Sequence, residues 1–293
     1  MKSANPIAVA FEHVFDQIVV PIDFSDVTTV TLEYAEAIAR AFNSELMLVH
    51  VDVPADLISS PDGAWVDDAE LQAVGREQLE QLGRSMRRRG FRARTVCLTG
   101  QVQEQLLAAA VDNKADLIVL GTHGRRGLGR LFAGSETEAL IRRVQCPVLS
   151  VGPLSPELGK KPWSIRNVVC ATTLEPRSAE MVAFAYKLAA VHEAELALFH
   201  VKKSPEEEMD WSNFEEAFHR YIPEDLGKRS WLRMRLSSRA PGNNIVTFAK
   251  ENQADLIVMG AHAATQIDTH LARGTVARVL AEAECPVMTL RCD

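Results

Sequence analysis

The chain repeats itself, and this internal duplication limits the folds open to it more than any other feature of the sequence. The segment ELMLVHV at 45–51 is matched by ELALFHV at 195–201, 150 positions later. The segment ADLIVLG at 115–121 is matched by ADLIVMG at 254–260, now 139 positions later. A repeat of about 140 residues has the size of a whole domain and not of a solenoid unit. The sequence therefore predicts two copies of one domain, the second about eleven residues shorter in its middle.

Each copy alternates between the apolar patterns of strands and helices. Short apolar runs such as 18–22 and 46–51 are typical of strands buried in a parallel sheet. The stretch 29–42 between them has apolar residues at helical spacing, and His50 and His200 end matching strands, where we interpret them as structural. The other elements predicted in the first copy are helices at 71–89, 102–111 and 135–144 and strands at 93–98, 117–120 and 147–151. This order predicts an α/β fold whose mostly parallel sheet is covered by helices on both faces.

The boundary between the copies is predicted at a stretch rich in proline, glycine and lysine, GPLSPELGKKPWS at 152–164. We expect an N-terminal domain over 1–153, a linker over 154–164 and a C-terminal domain over 165–293. The first copy also carries an acidic insertion, DVPADLISSPDGAWVDD at 52–68. We interpret the insertion as a solvated loop, with a lid or a partner surface as the alternatives.

The composition excludes several classes of protein. Apolar residues make up 47% of the chain and charged residues 24%, which is the balance of a soluble globular protein. The net charge of −7 argues against a general nucleic-acid binder, whose surface would be basic. No apolar run approaches the roughly 18 residues that span a bilayer, and the N-terminus is a poor signal peptide, so we expect a cytoplasmic protein without nucleic-acid or membrane partners. The five cysteines form no CxxC pair, and we interpret them as small buried side chains in a reducing compartment.

A glycine-rich stretch, GTHGRRGLGRLFAGSETEAL at 121–140, connects a predicted strand to a predicted helix. Ligands of open α/β sheets bind at this edge of the sheet, and we expect Gly121 to take a positive φ that lets a ligand approach. Gly134 and Ser135 open the helix, whose free N–H groups attract anions, and the loop arginines are suited to phosphate. The alternative is that Ser135 and Glu138 form a capping box, which satisfies the helix start without a ligand. The spacing is neither the Rossmann nor the Walker pattern, so these residues alone leave both interpretations open.

The spacing of Gly121, Gly124, Gly134 and Ser135 resembles the ATP-binding signature of the universal stress protein family. The segments VVPIDFS, LVHV, ADLIVLGTHG and CPVLSV resemble further landmarks of that family and cover most of 15–151. The second copy is similar to the same domain, so the whole chain resembles a tandem universal stress protein. This resemblance implies two tandem open-sheet, mostly parallel, Rossmann-like domains of the adenine nucleotide alpha hydrolase-like kind. It also implies a pseudo-dimer within one chain, in which the last strands of the two copies pair.

The resemblance also implies a cofactor, ATP or another adenine nucleotide with or without Mg²⁺, and the residues that hold it. The aspartate that ends the first strand lies by the ribose and adenine in nucleotide-binding members, and the loop and helix start hold the phosphates. The predicted set is Pro21, Ile22, Asp23, Val51, Leu120, Gly121, Gly124, Arg125, Gly134, Ser135, Glu136 and Thr137. Glu136 departs from the family, where this position is often small or apolar. A carboxylate that points inward would repel the phosphates, whereas one that points to water is favoured at a helix start.

The second copy keeps the strands but has lost most of this pattern. Its equivalent segment is GAHAATQIDTHLARGTVARVL at 260–280. Ala263 stands at the second glycine, the gap before Gly274 is one residue longer, and Thr173 stands where the first copy has Asp23. An alanine in place of that glycine adds a Cβ and resists a positive φ. We predict that this copy has kept the fold and lost the nucleotide site, and that it binds a different ligand or has a structural or partner role.

Three functions remain open at this point. The first is a stress-response regulatory protein that binds an adenine nucleotide in the N-terminal domain, with no catalytic residue and no metal site. The second is a slow ATPase or autophosphorylating switch with Ser135 or Thr137 as acceptor, although the sequence offers no clear general base. The third is a nucleotide-free scaffold for a protein partner, which the intact first signature argues against. The partners expected are an adenine nucleotide, the other copy in the chain, an unidentified protein and, as an open alternative, a second chain in a homodimer.

Overall fold

Strands and helices alternate through both copies of the chain. The computed structural model describes residues 15–54, 68–122, 135–159, 161–200, 211–220, 241–262 and 272–292. Its strands are β1 (Gln17–Pro21), β2 (Glu45–Asp52), β3 (Arg92–Thr99), β4 (Leu117–Gly121), β5 (Val148–Val151), β6 (Asn167–Ala171), β7 (Glu195–Phe199), β8 (Leu256–His262) and β9 (Val287–Cys292). Its α-helices are α1 (Asp26–Phe42), α2 (Asp68–Arg88), α3 (Val102–Asp112), α4 (Ser135–Arg143), α5 (Ala179–Val191), α6 (Trp211–His219), α7 (Pro241–Glu251) and α8 (Ala272–Glu282). None of the helices in these ranges is both long and apolar enough to cross a bilayer.

Every strand and helix predicted in the first copy is present; α2 begins three residues before its predicted start, and so does α1. The prediction began this helix at 29, where the apolar periodicity begins, whereas it starts at Asp26. Ser25 precedes it in an extended conformation, and the Asp26 carboxylate lies in the first turn, where the helix dipole favours a negative charge. The acidic insertion at 52–68 falls largely outside the described residues.

One sheet runs through both copies, in the strand order β3-β2-β1-β4-β5-β9-β8-β6-β7. Neighbouring strands within a copy are parallel, as in the pairs β1–β2 and β8–β9. The copies meet where β5 and β9 pair antiparallel, with Leu149 opposite Met288. The predicted α/β class and the pseudo-dimer are therefore confirmed, and the two open sheets are joined into one.

Each face of the sheet has an apolar core to which both copies contribute. Ile18 of β1 belongs to one core and Val19 to the other, because successive strand residues point to opposite faces. In the first core, the Phe15 ring packs edge-on against Phe42 at 5.1 Å and against Phe184 of the second copy at 6.1 Å. Burial lowers the pKa of His192, whose ring also faces Phe42, so this contact between the copies favours a neutral imidazole. Neither copy encloses a core of its own.

The stretch predicted as a linker packs onto α1. The Tyr34 hydroxyl of α1 donates to the Pro156 carbonyl at 2.8 Å, and the Trp163 ring packs edge-on against the Tyr34 ring at 4.9 Å. The N–H groups of Leu158 and Gly159 donate to the Glu33 carboxylate at 2.7 and 3.0 Å. Burial raises the pKa of the Tyr34 phenol, which therefore stays protonated as a donor. The connection therefore packs as a strap on α1 of the first copy. The limits of the two domains stay a prediction.

The duplication extends to backbone torsions that the sequence does not reveal. Asn43 and Glu193 follow equivalent helices, and both are left-handed, with φ of 54° and 53°. Lys114 and Gln253 form a second equivalent pair, each with φ of 49°. Non-glycine residues rarely adopt this region, so its recurrence at matched turns indicates that both copies keep one backbone path.

The five cysteines are free thiols, in agreement with the interpretation from the sequence. Cys170, Cys285 and Cys292 are buried. Burial raises the pKa of the Cys146 and Cys285 thiols to about 12, so both stay protonated at neutral pH. They therefore pack as small side chains.

The seam between β5 and β9 generates a stability prediction. The Ser150 hydroxyl is buried and has no hydrogen-bond partner among the described residues, whereas the Thr289 hydroxyl donates to the Val148 carbonyl at 3.3 Å. We expect Ser150→Ala to leave the free energy of unfolding unchanged or to raise it by up to about 1 kcal/mol, because an unpaired buried hydroxyl destabilises the fold. The matched change Thr289→Val should lower it by about 1 kcal/mol. Urea unfolding followed by circular dichroism measures both, and a larger loss in Ser150→Ala than in Thr289→Val would contradict the assignment.

Candidate functional site

A cleft of the N-terminal copy lies at the carboxyl ends of β1, β2 and β4. β1 lies between β2 and β4 in the sheet, and the order reverses there, which is where open α/β sheets bind ligands. Six residues of the predicted set line this cleft: Pro21, Ile22, Asp23, Val51, Leu120 and Gly121. The structure therefore brings together the residues predicted for the base and the ribose.

The residues predicted to hold phosphates are only partly described. Gly124, Arg125 and Gly134 lie outside the described residues. Ser135 and Glu136 are the first two residues of α4, so the helix begins where it was predicted to begin. Thr137 follows them with a side chain that is only 1% exposed, and it is absent from the described lining of the cleft. This burial argues against Thr137 as the acceptor in the autophosphorylating alternative.

Asp23 organises the turn that joins β1 to α1. Its Oδ1 accepts hydrogen bonds from the Ser25 N–H at 3.0 Å, the Ser25 hydroxyl at 2.6 Å and the Thr28 hydroxyl at 2.6 Å. This is the pattern by which an aspartate replaces backbone partners in a turn. Within the described residues, Oδ2 accepts no hydrogen bond. Because a carboxylate has about four lone-pair sites, Oδ2 retains the capacity to accept from a ligand.

The backbone next to Asp23 is held by an aromatic pair. Phe24 has a φ of 55°, an unusual conformation for a bulky residue. Its ring lies 4.8 Å from the ring of His50, whose Nδ1 donates to the Ile22 carbonyl at 2.7 Å. A carbonyl only accepts, so the proton of this hydrogen bond belongs to Nδ1. His50 therefore fixes the end of β1, which fits the structural role predicted for it.

Gly121 serves close packing, and the expectation of a positive φ there is wrong. Positive φ values among the described glycines fall elsewhere. A Cβ at Gly121 would lie 2.5 Å from Val27 Cγ1 and 2.8 Å from Thr31 Oγ1. The end of β4 therefore approaches α1 more closely than any side chain allows, and this contact forms the floor of the cleft.

Sequence reasoning missed the helical walls of the cleft. Ser25, Val27, Thr28 and Thr31, at the start of α1, line one side, and α3 adds Val102 and Leu106. The polar spacing D-x-S-x-x-T at 23–28 was the available signal, since it places two hydroxyls where they reach the aspartate.

The equivalent cleft of the C-terminal copy keeps the backbone and lacks the carboxylate. Leu174 has the same φ of 55° as Phe24. His200 Nδ1 donates to the Thr172 carbonyl at 2.9 Å, which repeats the bond of His50. Thr173 stands at the position of Asp23, and its hydroxyl is buried without a partner in the described part of the chain. The same scaffold thus presents different chemistry.

The fold and the cleft define a tandem, Rossmann-like α/β protein with a cleft at the switch point of its first copy. The model of the universal stress protein family matches residues 15–152 and again 232–291. The chain therefore belongs to the universal stress protein family and is a tandem member of it, as predicted. The family match covers the first copy throughout but only the later part of the second, so the second copy is the more divergent.

Individual relatives support the same assignment. The chain is 34% identical to a universal stress protein of Methanocaldococcus jannaschii over 142 residues. This matched stretch covers 48% of this chain and 84% of the relative. The chain is 32% identical over 139 residues to one of Thermus aquaticus, covering 47% of this chain and 98% of the relative. The crystal structure of a universal stress protein from Archaeoglobus fulgidus has a TM-score of 0.71 at 17% identity, covering 96% of this chain and 98% of the other. That structure shares the fold of the whole tandem chain.

The packing at Gly121 generates a second stability prediction. Gly121→Ala should lower the free energy of unfolding by about 1–3 kcal/mol, because the β-branched Val27 and Thr31 have few alternative rotamers. Gly260 is the matched control, since its Cβ would lie 2.8 Å from Cys292 Sγ and 3.5 Å from Met181 Sδ. Gly260→Ala should cost less, because one atom lies within 3.0 Å of its Cβ position, against two at Gly121, and the Met181 distance is an ordinary van der Waals contact. Urea unfolding of both variants measures the difference, and an equal or smaller loss in Gly121→Ala would refute this account of the cleft floor.

Proposed function

We propose that the N-terminal copy binds ATP or a related adenine nucleotide and that the protein is a stress-response regulator. The observation that supports this most is the gathering of Asp23, Val51 and Leu120 around one cleft at the switch point of the sheet. These residues lie at or just beyond the ends of three separate strands, and the turn uses only Oδ1 of the Asp23 carboxylate. The glycine signature that follows β4 adds the expected phosphate loop.

The described walls suit a nucleoside. Val51 and Leu120 offer apolar contact to a base, beside Ile22 at the end of β1. Asp23 Oδ2 would accept hydrogen bonds from ribose hydroxyls, while Oδ1 remains held by Ser25 and Thr28. This division of one carboxylate lets the turn keep its own hydrogen bonds when the ligand binds.

The phosphates would lie at the start of α4. The first N–H groups of a helix have no partner within it and attract anions, and α4 begins at Ser135. We assign Gly124, Arg125 and Gly134 to the same role from the sequence signature. Thr137 would contribute its N–H group, because its hydroxyl is buried. Glu136 is compatible with this arrangement when its carboxylate points to water, and Mg²⁺ would be held mainly by phosphate oxygens and water.

Nucleotide binding also requires the cleft to widen. The cavity between its described walls has a volume of about 30 Å³. Sites for drug-sized ligands have roughly 300–1,000 Å³. Val27 and Thr31 crowd Gly121 at the floor, so α1 is the element that would move. Such a movement would couple occupancy to the strap at 152–164, which packs on α1 through Tyr34, and would thereby change the surface shown to a protein partner.

A hydrolytic function has weaker support. Asp23 is the single acidic residue among the described residues that line the cleft. Its Oδ1 already accepts three hydrogen bonds, and its Oδ2 is assigned to the ribose hydroxyls, so neither oxygen is left to act as a general base. We therefore favour binding and regulation over catalysis, and the buried free thiols fit residence in the cytoplasm.

Asp23→Asn tests the proposal. The amide keeps an oxygen for Ser25 and Thr28 but replaces the Oδ2 acceptor with a donor, so we expect ATP binding to weaken by about 10- to 100-fold with little change in melting temperature. Isothermal titration with ATP and Mg²⁺ measures the affinity. The matched control is Thr173→Val in the second copy, which should bind ATP like the unaltered chain.

Unchanged affinity in Asp23→Asn would overturn the role of this carboxylate. An unaltered chain that binds no adenine nucleotide would instead support the scaffold alternative. Release of phosphate from ATP over hours, absent in Asp23→Asn, would support the ATPase.

A further inference from the structure

The C-terminal copy has a larger cavity than the N-terminal one, at the equivalent end of the sheet. It lies at the carboxyl ends of β6 and β8, and its volume is about 220 Å³, against about 30 Å³ for the first cleft. Arg142 of α4 contributes to its wall, so both copies build it. A cavity of this volume is too small for a drug-sized ligand and fits a smaller molecule.

Several polar groups at this cavity are hydrogen-bonded to one another. The Leu174 N–H donates to the Thr172 hydroxyl at 3.0 Å, and that hydroxyl donates to the Ser178 hydroxyl at 3.0 Å. The Ser178 hydroxyl donates in turn to the Glu175 carbonyl at 2.7 Å. The Glu175 carboxylate pairs with Arg177 at 2.5 Å. The Thr173 hydroxyl, which has no partner among the described residues, stands where the first copy has the Asp23 carboxylate, so the cavity offers a neutral hydrogen-bonding group in place of a charged one.

Another part of the wall is apolar and polarisable. Met181, Met259 and Cys292 place three sulfur atoms around the cavity. Met181 stands at the position of Thr31, and Met259 at that of Leu120. Phe199 also lines the cavity and is itself stacked on Phe248, with ring centroids 4.3 Å apart. Thioethers contact aromatic rings favourably and adapt to their shape.

We infer that this cavity is a binding site for a small, uncharged aromatic molecule. The neutral hydroxyl in place of the Asp23 carboxylate and the sulfur-rich wall both favour that class over a nucleotide. Apart from Arg142, every described residue that lines this cavity belongs to the second copy, so the inference does not rest on nucleotide binding in the first copy.

Indole is a suitable probe, and the methionines supply the readout. In a chain labelled with ¹³C at the methionine methyl groups, indole should shift the resonances of Met181 and Met259 in a saturable manner. Met47 and Met86, buried in the first copy, serve as internal references and should not shift. Absence of any shift up to the solubility of indole would overturn the proposal, and so would displacement of indole from these methionines by ATP.

Two variants locate the bound probe. Met181→Thr installs the residue of the first copy and should weaken indole binding about fivefold through the lost sulfur contact. Ala171→Val fills part of the wall and should also weaken it, which keeps the test decisive if one variant fails to fold. Met86→Leu, a volume-conserving change in the first copy, should leave the affinity unchanged. Equal affinity in folded Met181→Thr and Ala171→Val would place the probe elsewhere and overturn the assignment.

Discussion

The antiparallel pairing of β5 with β9 is the contact on which the rest of the structure depends. It joins two parallel half-sheets through pairs such as Leu149 and Met288, and it removes an exposed strand edge from each copy. The apolar cores on both faces then extend across the seam, as the contact between Phe15 and Phe184 illustrates. Each copy is therefore needed to complete the interior of the other, whatever ligand it binds. This explains why the second copy keeps its strands although its glycine loop has diverged.

The two equivalent clefts have the same backbone conformation and different side chains. Phe24 and Leu174 share a left-handed conformation, and His50 and His200 make the same hydrogen bond, so the local frame is preserved. The side chain carried by that frame differs: the first copy presents the Asp23 carboxylate, and the second presents a threonine. The same local frame therefore presents a charged acceptor in one cleft and a neutral hydroxyl in the other.

Much of this arrangement could be predicted from the sequence, and the exceptions have physical causes. Periodicity located the strands and helices of the first copy, because buried faces leave a regular apolar pattern. It placed the start of α1 too late, since the polar first turn at Asp26 is set by the helix dipole and not by burial. The packing of the strap on Tyr34 was missed because proline and lysine indicate a linker whether or not it is docked. The role of Gly121 was misjudged, because a glycine required by a neighbouring helix looks the same in sequence as one required by a positive φ.

The central claim is that one chain holds one adenine nucleotide, in the N-terminal copy. Native mass spectrometry of the intact chain with saturating ATP and Mg²⁺ counts bound nucleotides directly. The account predicts a single bound nucleotide per chain, because only the first copy has the carboxylate at the end of its first strand and the full glycine spacing. Two bound nucleotides per chain, or none, would contradict it.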